Sequence, residues 1–189
     1  MRKLAVAFLV VIVALIAVVG VQAFAKGKHK VKTELSGYNE TPLALSSPGT
    51  GKFSARIDDQ AQSISYKLTY SGLPTAALQA HIHFGSVSQS GGIAAFLCTN
   101  LGNGPAGTPA CPATGGTVTG TITPAQVIGP AGQGIAAGEF NELLQAIRAG
   151  VAYANVHTTA FPAGEIRGQL NDHRDKHDNG DRHDGDKHH

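Results

Sequence analysis

Regular alternation of apolar and polar residues is the feature that most constrains the fold of this 189-residue sequence. Thr50–Asp58 places Phe53 and Ile57 on one side of an extended chain, and Ser63–Tyr70 repeats the pattern. A repeat of two is the side-chain period of a half-buried strand. Residues 58–60, Asp-Asp-Gln, are typical of a hairpin turn. The two segments therefore predict an antiparallel pair.

Five further segments have the composition of short strands, and residues 139–150 do not. Apolar residues there recur at i, i+3, i+4 and i+7 and a glycine follows, which predicts one amphipathic crossover helix. Seven strands with frequent turns predict an all-β fold, an immunoglobulin-like antiparallel β-sandwich or barrel with one crossover α-helix. The five segments are Leu78–Phe84, Gly92–Leu97, Thr117–Ile122, Val151–Thr158 and Glu165–Leu170.

Residues 1–25 are predicted to be a signal peptide rather than part of the fold. Arg2 and Lys3 precede the apolar run Leu4–Val19, and Ala23–Ala25 has the small-x-small pattern of a cleavage site. An uncleaved membrane anchor is the alternative, because the run is near the lower length limit for spanning a bilayer. An export signal places the mature protein outside the cytoplasm, either secreted or held in the periplasm or cell envelope.

The mature chain divides into a basic linker, one domain and a polar tail. Residues 26–32 contain four lysines, residues 33–170 carry the strand pattern, and residues 171–189 contain only Asn, Asp, His, Arg, Lys and Gly. The tail is predicted to be disordered, because no apolar side chain offsets the entropy cost of ordering it. Its five histidines either bind divalent metal weakly or belong to a solubilising appendage.

The charge balance bears on the partner. Removal of Arg2 and Lys3 with the signal peptide reduces the 15 basic residues to 13, which equals the number of acidic residues. No basic face is evident in the sequence, so nucleic acid is not an expected partner. An extracellular protein or a surface ligand is expected instead.

Cys98 and Cys111 are the two cysteines of the chain, and an even count in an exported protein predicts a disulfide. The 12 residues between them are rich in Gly and Pro. Closing so short a loop is worth about 3 kcal/mol. A metal or redox pair would require closer spacing or nearby histidines.

Three histidines are the candidate metal ligands. His81 and His83 flank Ile82 on one predicted strand, so both rings are expected on the same face. His157 lies on another predicted strand and joins them if the two strands are neighbours. Zinc and copper suit imidazole nitrogen, and nitrogens about 3–4 Å apart fit bonds near 2 Å. The alternative is that the rings only make structural hydrogen bonds.

The other charged residues have simpler interpretations. Glu40 is predicted to be an exposed turn carboxylate. Glu165 and Arg167 share a face of one strand and are predicted to form an exposed ion pair worth about 0.2–1 kcal/mol, the alternative being a partner that orients His157. No catalytic residue is assigned and an enzyme is not predicted, because the chain lacks nucleophile-elbow, phosphate-loop and dinucleotide-binding motifs.

Three motifs occur in order along the chain, Leu35–Pro42, Ala80–Gly85 and Tyr153–Gly168. Together they resemble the CHRD (chordin) domain, and the likeness covers about residues 33–170. The resemblance implies an immunoglobulin-like β-barrel and, for a bacterial-type member, a stand-alone secreted protein. In chordin such domains belong to an extracellular antagonist of a growth factor, and that role is not expected of this single-copy chain.

The leading hypothesis is thus a secreted CHRD-domain binding module of undefined ligand that coordinates a divalent metal, zinc or copper, through His81, His83 and His157. The second hypothesis is an oxidoreductase of the copper/zinc superoxide dismutase type, since the His-x-His strand is similar to one motif of that β-barrel family. The further metal ligands of that family have no clear counterparts here. The third hypothesis is a structural envelope or matrix protein.

Overall fold

The computed structural model describes residues 28–173. The predicted signal peptide and residues 174–189 of the predicted tail lie outside the described residues, so both stay predictions. Between residues 28 and 173, no helix combines the length and the apolar character needed to cross a membrane.

Nine strands and one α-helix, with three short 3-10 turns, build the described part of the chain. All seven predicted strands are present, with ends that differ from the predicted ones by at most two residues. The elements are β1 (Lys28–Ser36), β2 (Thr50–Asp58), β3 (Ser63–Ser71), β4 (Ala77–Phe84), β5 (Gly92–Thr99), β6 (Gly116–Ile122), α1 (Phe140–Arg148), β7 (Ala152–Thr158), β8 (Ile166–Gln169) and β9 (Asn171–His173).

One antiparallel sheet contains all of the strands, in the order β5-β4-β7-β8-β1-β2-β3-β6, with β9 paired to β1. The sheet curls until its two edge strands, β5 and β6, lie in contact. The Tyr66 hydroxyl of β3 donates a 2.6 Å hydrogen bond to the Leu97 carbonyl of β5 across this junction. The nearly closed barrel with one helix confirms the predicted fold class.

The alternation of β2 and β3 sets which side of the sheet becomes the core. Their register pairs Phe53 with Leu68 and Ile57 with Ile64. All four side chains are buried in the barrel interior, which is worth about 1.5–3 kcal/mol for each large apolar side chain. The residues between them face outward, so the sequence pattern alone fixes the orientation of these strands.

The helix α1 packs its apolar stripe on the sheet, as predicted. Phe140, Leu143, Leu144 and Ile147 are all buried in the core. The chain leaves the helix at Gly150, whose φ of 70° lies in the left-handed region that glycine adopts without steric cost.

The predicted disulfide between Cys98 and Cys111 is formed. Asn100 holds the same loop in place, since its side chain donates to the carbonyls of Ala77 at 2.9 Å and Cys111 at 3.0 Å. The Cys111 amide in turn donates to the Asn100 side-chain oxygen. A loop rich in Gly and Pro is therefore tied to β4 and β5 by both covalent and polar contacts.

Two strands at the ends of the domain are absent from the sequence-based prediction. β1 begins at Lys28, so residues 28–32 belong to a strand rather than to a linker, and β9 places Asn171–His173 beside β1. The basic character of the first segment obscured its pattern, because Val31 and Leu35 are buried while Lys30 and Lys32 face solvent.

Most polar side chains of β4, β7 and β8 lie on the outer side of the barrel, yet they are buried. Ile82 and Ile166 point into the core, so the neighbouring His81 and Arg167 point outward. Both are at most 2% exposed. We name this side of the three strands the covered face. Loops 37–49, 85–91 and 159–165 supply contacts to it through Thr41, Ser86 and Pro162.

Candidate metal centre

Neighbouring strands bring the three predicted histidines together. β4 and β7 pair antiparallel, with His81 opposite Asn155 and Gln79 opposite His157. His157 is therefore one diagonal step from His81 on the covered face. The sequence-based condition for convergence, that the two strands lie side by side, is confirmed.

One ring nitrogen of His157 lies close to a ring nitrogen of each of the other two histidines. His157 Nε2 lies 3.1 Å from His81 Nδ1 and 3.3 Å from His83 Nε2. One nitrogen of each ring lies within 4.8 Å of the other two. Bonds of about 2.0–2.1 Å with tetrahedral angles require ligand nitrogens about 3.3 Å apart. Both distances to His157 match this spacing, and the three nitrogens together lie within 4.8 Å, so the side chains approach the arrangement of a three-nitrogen metal site.

Backbone carbonyls fix the tautomers of two of the rings. His83 Nδ1 donates to the Gly91 carbonyl at 2.9 Å, and His157 Nδ1 donates to the Pro162 carbonyl at 3.1 Å. A carbonyl oxygen only accepts, so each Nδ1 must carry the proton. In the neutral rings both Nε2 atoms then present lone pairs to each other. Such carbonyl partners are typical of metal-bound histidines, whose second nitrogen is oriented by a hydrogen bond.

Burial keeps these rings neutral. It lowers the pKa of His83 and of His157 to about 4, although the carbonyl partners of both rings act in the opposite direction. Burial, reinforced by repulsion from protonated His157 and His83, lowers the pKa of His81 to about 2. Neutral imidazole is the form that binds metal, so the site is ready for a cation at neutral pH.

His81 is the most deeply placed of the three. Its side chain is 0% exposed and packs edge-on against the Phe96 ring at 4.4 Å between centroids. His81 Nε2 is buried and has no hydrogen-bond partner among the described residues. Leaving a buried polar atom unpaired costs about 1–3 kcal/mol, so the fold accepts an energetic penalty at this ring.

Comparison with known families identifies the domain. The CHRD domain family matches residues 31–170, most of the chain. The chain belongs to the CHRD family. Searches of curated proteins and of solved structures each found no significant match. CHRD domains are a family of binding modules rather than a known family of enzymes.

The histidines of this CHRD domain stand apart from the copper–zinc pair of the dismutase hypothesis. Within residues 28–173, His81, His83 and His157 form the one group of at least three His, Cys, Asp or Glu side chains close enough to share an ion. A second adjoining metal position is therefore not built by the described residues. The described residues thus offer one candidate metal position, made of three histidines.

A stack of three side chains supports His83. The His83 ring lies parallel to Tyr153, with 4.9 Å between centroids and 5° between planes. The Arg167 guanidinium covers the other side of Tyr153 at 3.5 Å from the ring centroid. Arg167 also donates to the Ser86 carbonyl at 2.6 Å and to the Thr41 hydroxyl. The stack therefore connects the His83 ring to two of the covering loops.

Glu40 is buried rather than exposed, which corrects its interpretation as a turn carboxylate. It accepts a 2.6 Å hydrogen bond from the Asn155 side chain, which also donates to the Ile166 carbonyl at 2.9 Å. Burial raises the pKa of Glu40 to about 7, and the Asn155 hydrogen bond and the Arg167 charge only partly offset this. Loop 37–49 folds over the covered face and places the Glu40 carboxyl group among the buried side chains there.

Both interpretations of Glu165 and Arg167 are wrong. The two side chains are buried, not exposed. Glu165 accepts hydrogen bonds from Ser47 at 2.5 Å and Thr158 at 2.6 Å, while His157 is oriented by the Pro162 carbonyl instead. Glu165 thus anchors loop 37–49 to β7, and Arg167 supports Tyr153.

Sequence reasoning also missed Tyr153 and Asn155, which share the outward side of β7 with His157. The signal was present, since these polar residues alternate with Ala154 and Val156. A strand with apolar side chains on one side and three large polar side chains on the other indicates that the polar side has a function and is covered by other parts of the chain. The missing information was the position of the covering loops.

Proposed function

We propose that this CHRD protein is an exported binding module that holds one divalent transition-metal ion, zinc or copper, on His81, His83 and His157. The observation that carries the proposal is that His157 Nε2 lies at metal-ligand spacing from a nitrogen of each of the other two rings, while backbone carbonyls fix the tautomers of His83 and His157. A purely structural cluster would place a hydrogen between each close pair of nitrogens, whereas neither Nε2 atom of the His83–His157 pair carries one.

The donor set favours a transition metal over a hard cation. Three imidazoles and no carboxylate suit zinc and copper, whereas calcium and magnesium prefer oxygen ligands. Three protein ligands also leave one coordination position, which a water molecule can fill. The ion would supply a positive charge and a Lewis-acidic position beneath the covering loops.

The disulfide supports an extracytoplasmic location. Such bonds persist in oxidising compartments and are rare in the cytosol. The predicted signal peptide points the same way. A metal centre closed by loops, rather than open to solvent, fits a module that retains its ion after export.

Metal content tests the proposal on the full mature chain. The protein is loaded with Co²⁺, Zn²⁺ or Cu²⁺, dialysed and analysed for bound metal, and the cobalt form is examined for the intense visible bands of a tetrahedral site. We expect one equivalent in the wild type. A variant with His81→Asn, His83→Asn and His157→Asn should lose both the retained ion and the cobalt bands.

A tail variant distinguishes the three-histidine centre from metal binding by the C-terminal histidines. The variant with asparagine at the five tail histidines, His173, His177, His183, His188 and His189, should keep the retained equivalent and the cobalt spectrum. A wild type that retains no metal, or a tail variant that loses all of it, would contradict the proposal. In the first case the histidines would be structural, and their replacement would lower stability with no change in metal content.

A further inference from the structure

The outer side of β1, β2 and β3 collects most of the cations of the domain. Residues 29–171 contain seven lysine and arginine side chains, and five of them are exposed on this side. The other two are Arg148, which bonds Asp59, and the buried Arg167. We name this side the open face. Its five cations are Lys30, Lys32, Lys52, Arg56 and Lys67.

Strand register places these charges close together. Lys30 lies opposite Arg56, while Lys32 and Lys67 flank Ser54 on either side. Adjacent strands are about 4.8 Å apart, and side chains on one face repeat about every 6.7 Å along a strand. The cations therefore form a grid with neighbours about 5–10 Å apart. The expectation that the chain has no basic face is wrong, because the lysines are scattered in sequence and meet only in the sheet.

The domain does little to neutralise this grid. Lys52 makes a 3.5 Å ion pair with Glu34, and both side chains are at least 80% exposed. The other four cations have no carboxylate partner among the described residues. Asp58, at the end of β2, accepts hydrogen bonds from the Gln60 and Ala61 amides in the turn. The open face thus keeps a net positive charge.

Edge protection does not explain these lysines. Natural sheets place lysine on exposed edge strands to block pairing with other chains. The strands β1, β2 and β3 are all internal to the sheet and have partners on both sides. These charges are therefore available to something that approaches the face rather than the edge.

The remaining side chains narrow the chemistry of that partner. Between and beside the cations lie hydroxyl groups and no exposed aromatic or large apolar side chain, since Phe53, Tyr66 and Tyr70 all point inward. Single-stranded nucleic acids bind by stacking on aromatic rings, and membrane-surface segments insert apolar residues. Cations alternating with hydroxyls suit a hydroxyl-rich polyanion. The hydroxyl residues include Ser54, Ser65, Thr69, Thr117, Thr119 and Thr121.

We infer that the open face binds a linear acidic polysaccharide. The carboxylates or sulfates of the polymer pair with the five cations, and its hydroxyls exchange hydrogen bonds with the serine and threonine side chains. The negative charges of successive sugars match a surface whose cations repeat along and across three strands. This binding site is independent of the histidine centre, which lies on different strands.

Binding of the full mature chain to dextran sulfate and to polygalacturonate tests the inference, with uncharged dextran as the reference. Affinity is measured at about 50 mM and about 200 mM NaCl by surface plasmon resonance. We expect binding to both polyanions, none to dextran, and a steep loss of affinity with salt.

Two variants of equal charge separate the face from net charge. Lys32→Gln with Lys67→Gln removes two positive charges from the open face and should weaken binding at least tenfold. Asn141→Asp with Gln145→Glu adds two negative charges on the exposed side of α1 and should change affinity less than twofold. Circular dichroism verifies that both variants are folded.

Three outcomes would overturn the inference. One is an equal loss in the two variants, which would show an effect of net charge alone. Another is unchanged binding in the lysine variant. The third is wild-type binding to anionic phospholipid vesicles or to single-stranded DNA that is as tight as binding to the polysaccharides.

Discussion

The covered face and the open face arise from the same alternation of strand residues, but they differ in what lies above them. On the open face, Lys67 and its neighbours remain in water, where a charge costs little. On the covered face, loops remove water from Arg167, Glu40 and three histidines, so burial shifts their pKa values and each group depends on specific partners. The difference shows that loop coverage, not strand pattern, converts a polar stripe into a chemical site.

Removing a cation from each face should produce the largest contrast in stability. Arg167→Ala abolishes the contacts to Tyr153, Ser86 and Thr41 and leaves a cavity, so we expect the free energy of unfolding to fall by about 3–5 kcal/mol. Lys67→Ala should change it by less than about 0.5 kcal/mol. Urea denaturation measures both. Equal losses would show that the two faces do not differ in the way described.

Acidification of the metal-free protein should have the second-largest effect on stability, because it protonates the buried histidines of the covered face when the chain unfolds. Their pKa values are lower in the folded chain than the usual 6.5, so the unfolded state binds more protons between about pH 6.5 and pH 4. The free energy of unfolding should therefore fall as pH decreases through this range, by on the order of 3 kcal/mol for each ring.

The contribution of Glu40 to stability depends on pH in the opposite direction and supplies a control. Its pKa is higher in the folded chain than the usual 4.5, so its stabilising contribution is present below pH 4.5 and is lost as pH rises through about 7. Glu40→Gln should remove this loss while the decline at acid pH remains. Urea denaturation from about pH 4 to about pH 8 with a chelator present measures both trends. Stability that does not change on acidification from about pH 6.5 to about pH 4 would contradict the lowered pKa values of the three histidines.

A methyl group on the loop that holds His83 should have a smaller effect. A Cβ at Gly91 would overlap the Phe84 carbonyl, so Gly91→Ala must displace the carbonyl that accepts from His83. We expect a loss of about 1–3 kcal/mol and a weaker retained metal ion. Gly132→Ala is the matched control, because a Cβ there meets no atom within 4 Å. Thermal unfolding and metal analysis measure both effects. Equal stability and equal metal content in the two variants would contradict the prediction.

The exposed ion pair should contribute least. Lys52 and Glu34 are at least 80% exposed, so Lys52→Gln should change the free energy of unfolding by less than about 0.5 kcal/mol, and high salt should abolish the difference. Urea denaturation at low and high salt measures the effect. A larger loss would mean that the open face contributes to folding as the covered face does.

Local patterns in the sequence are sufficient to predict the alternating strands, the helix, the disulfide and the identity of the three histidines. Each of these depends on local periodicity or on residue type, and the family assignment depends on three motifs that occur in order. β1 was missed because its lysines obscured two buried apolar positions, Val31 and Leu35.

Which polar residues are buried, and which are grouped, depends instead on the tertiary structure. Glu40 and Arg167 looked exposed because strand periodicity does not reveal what covers an outer face, and segments separated by more than a hundred residues meet there. The grouping of the cations on the open face was also missed, because it depends on the register between strands, which is a long-range property. Periodicity gives each residue a side of the sheet, and the three-dimensional arrangement of loops and neighbouring strands gives that side its chemistry.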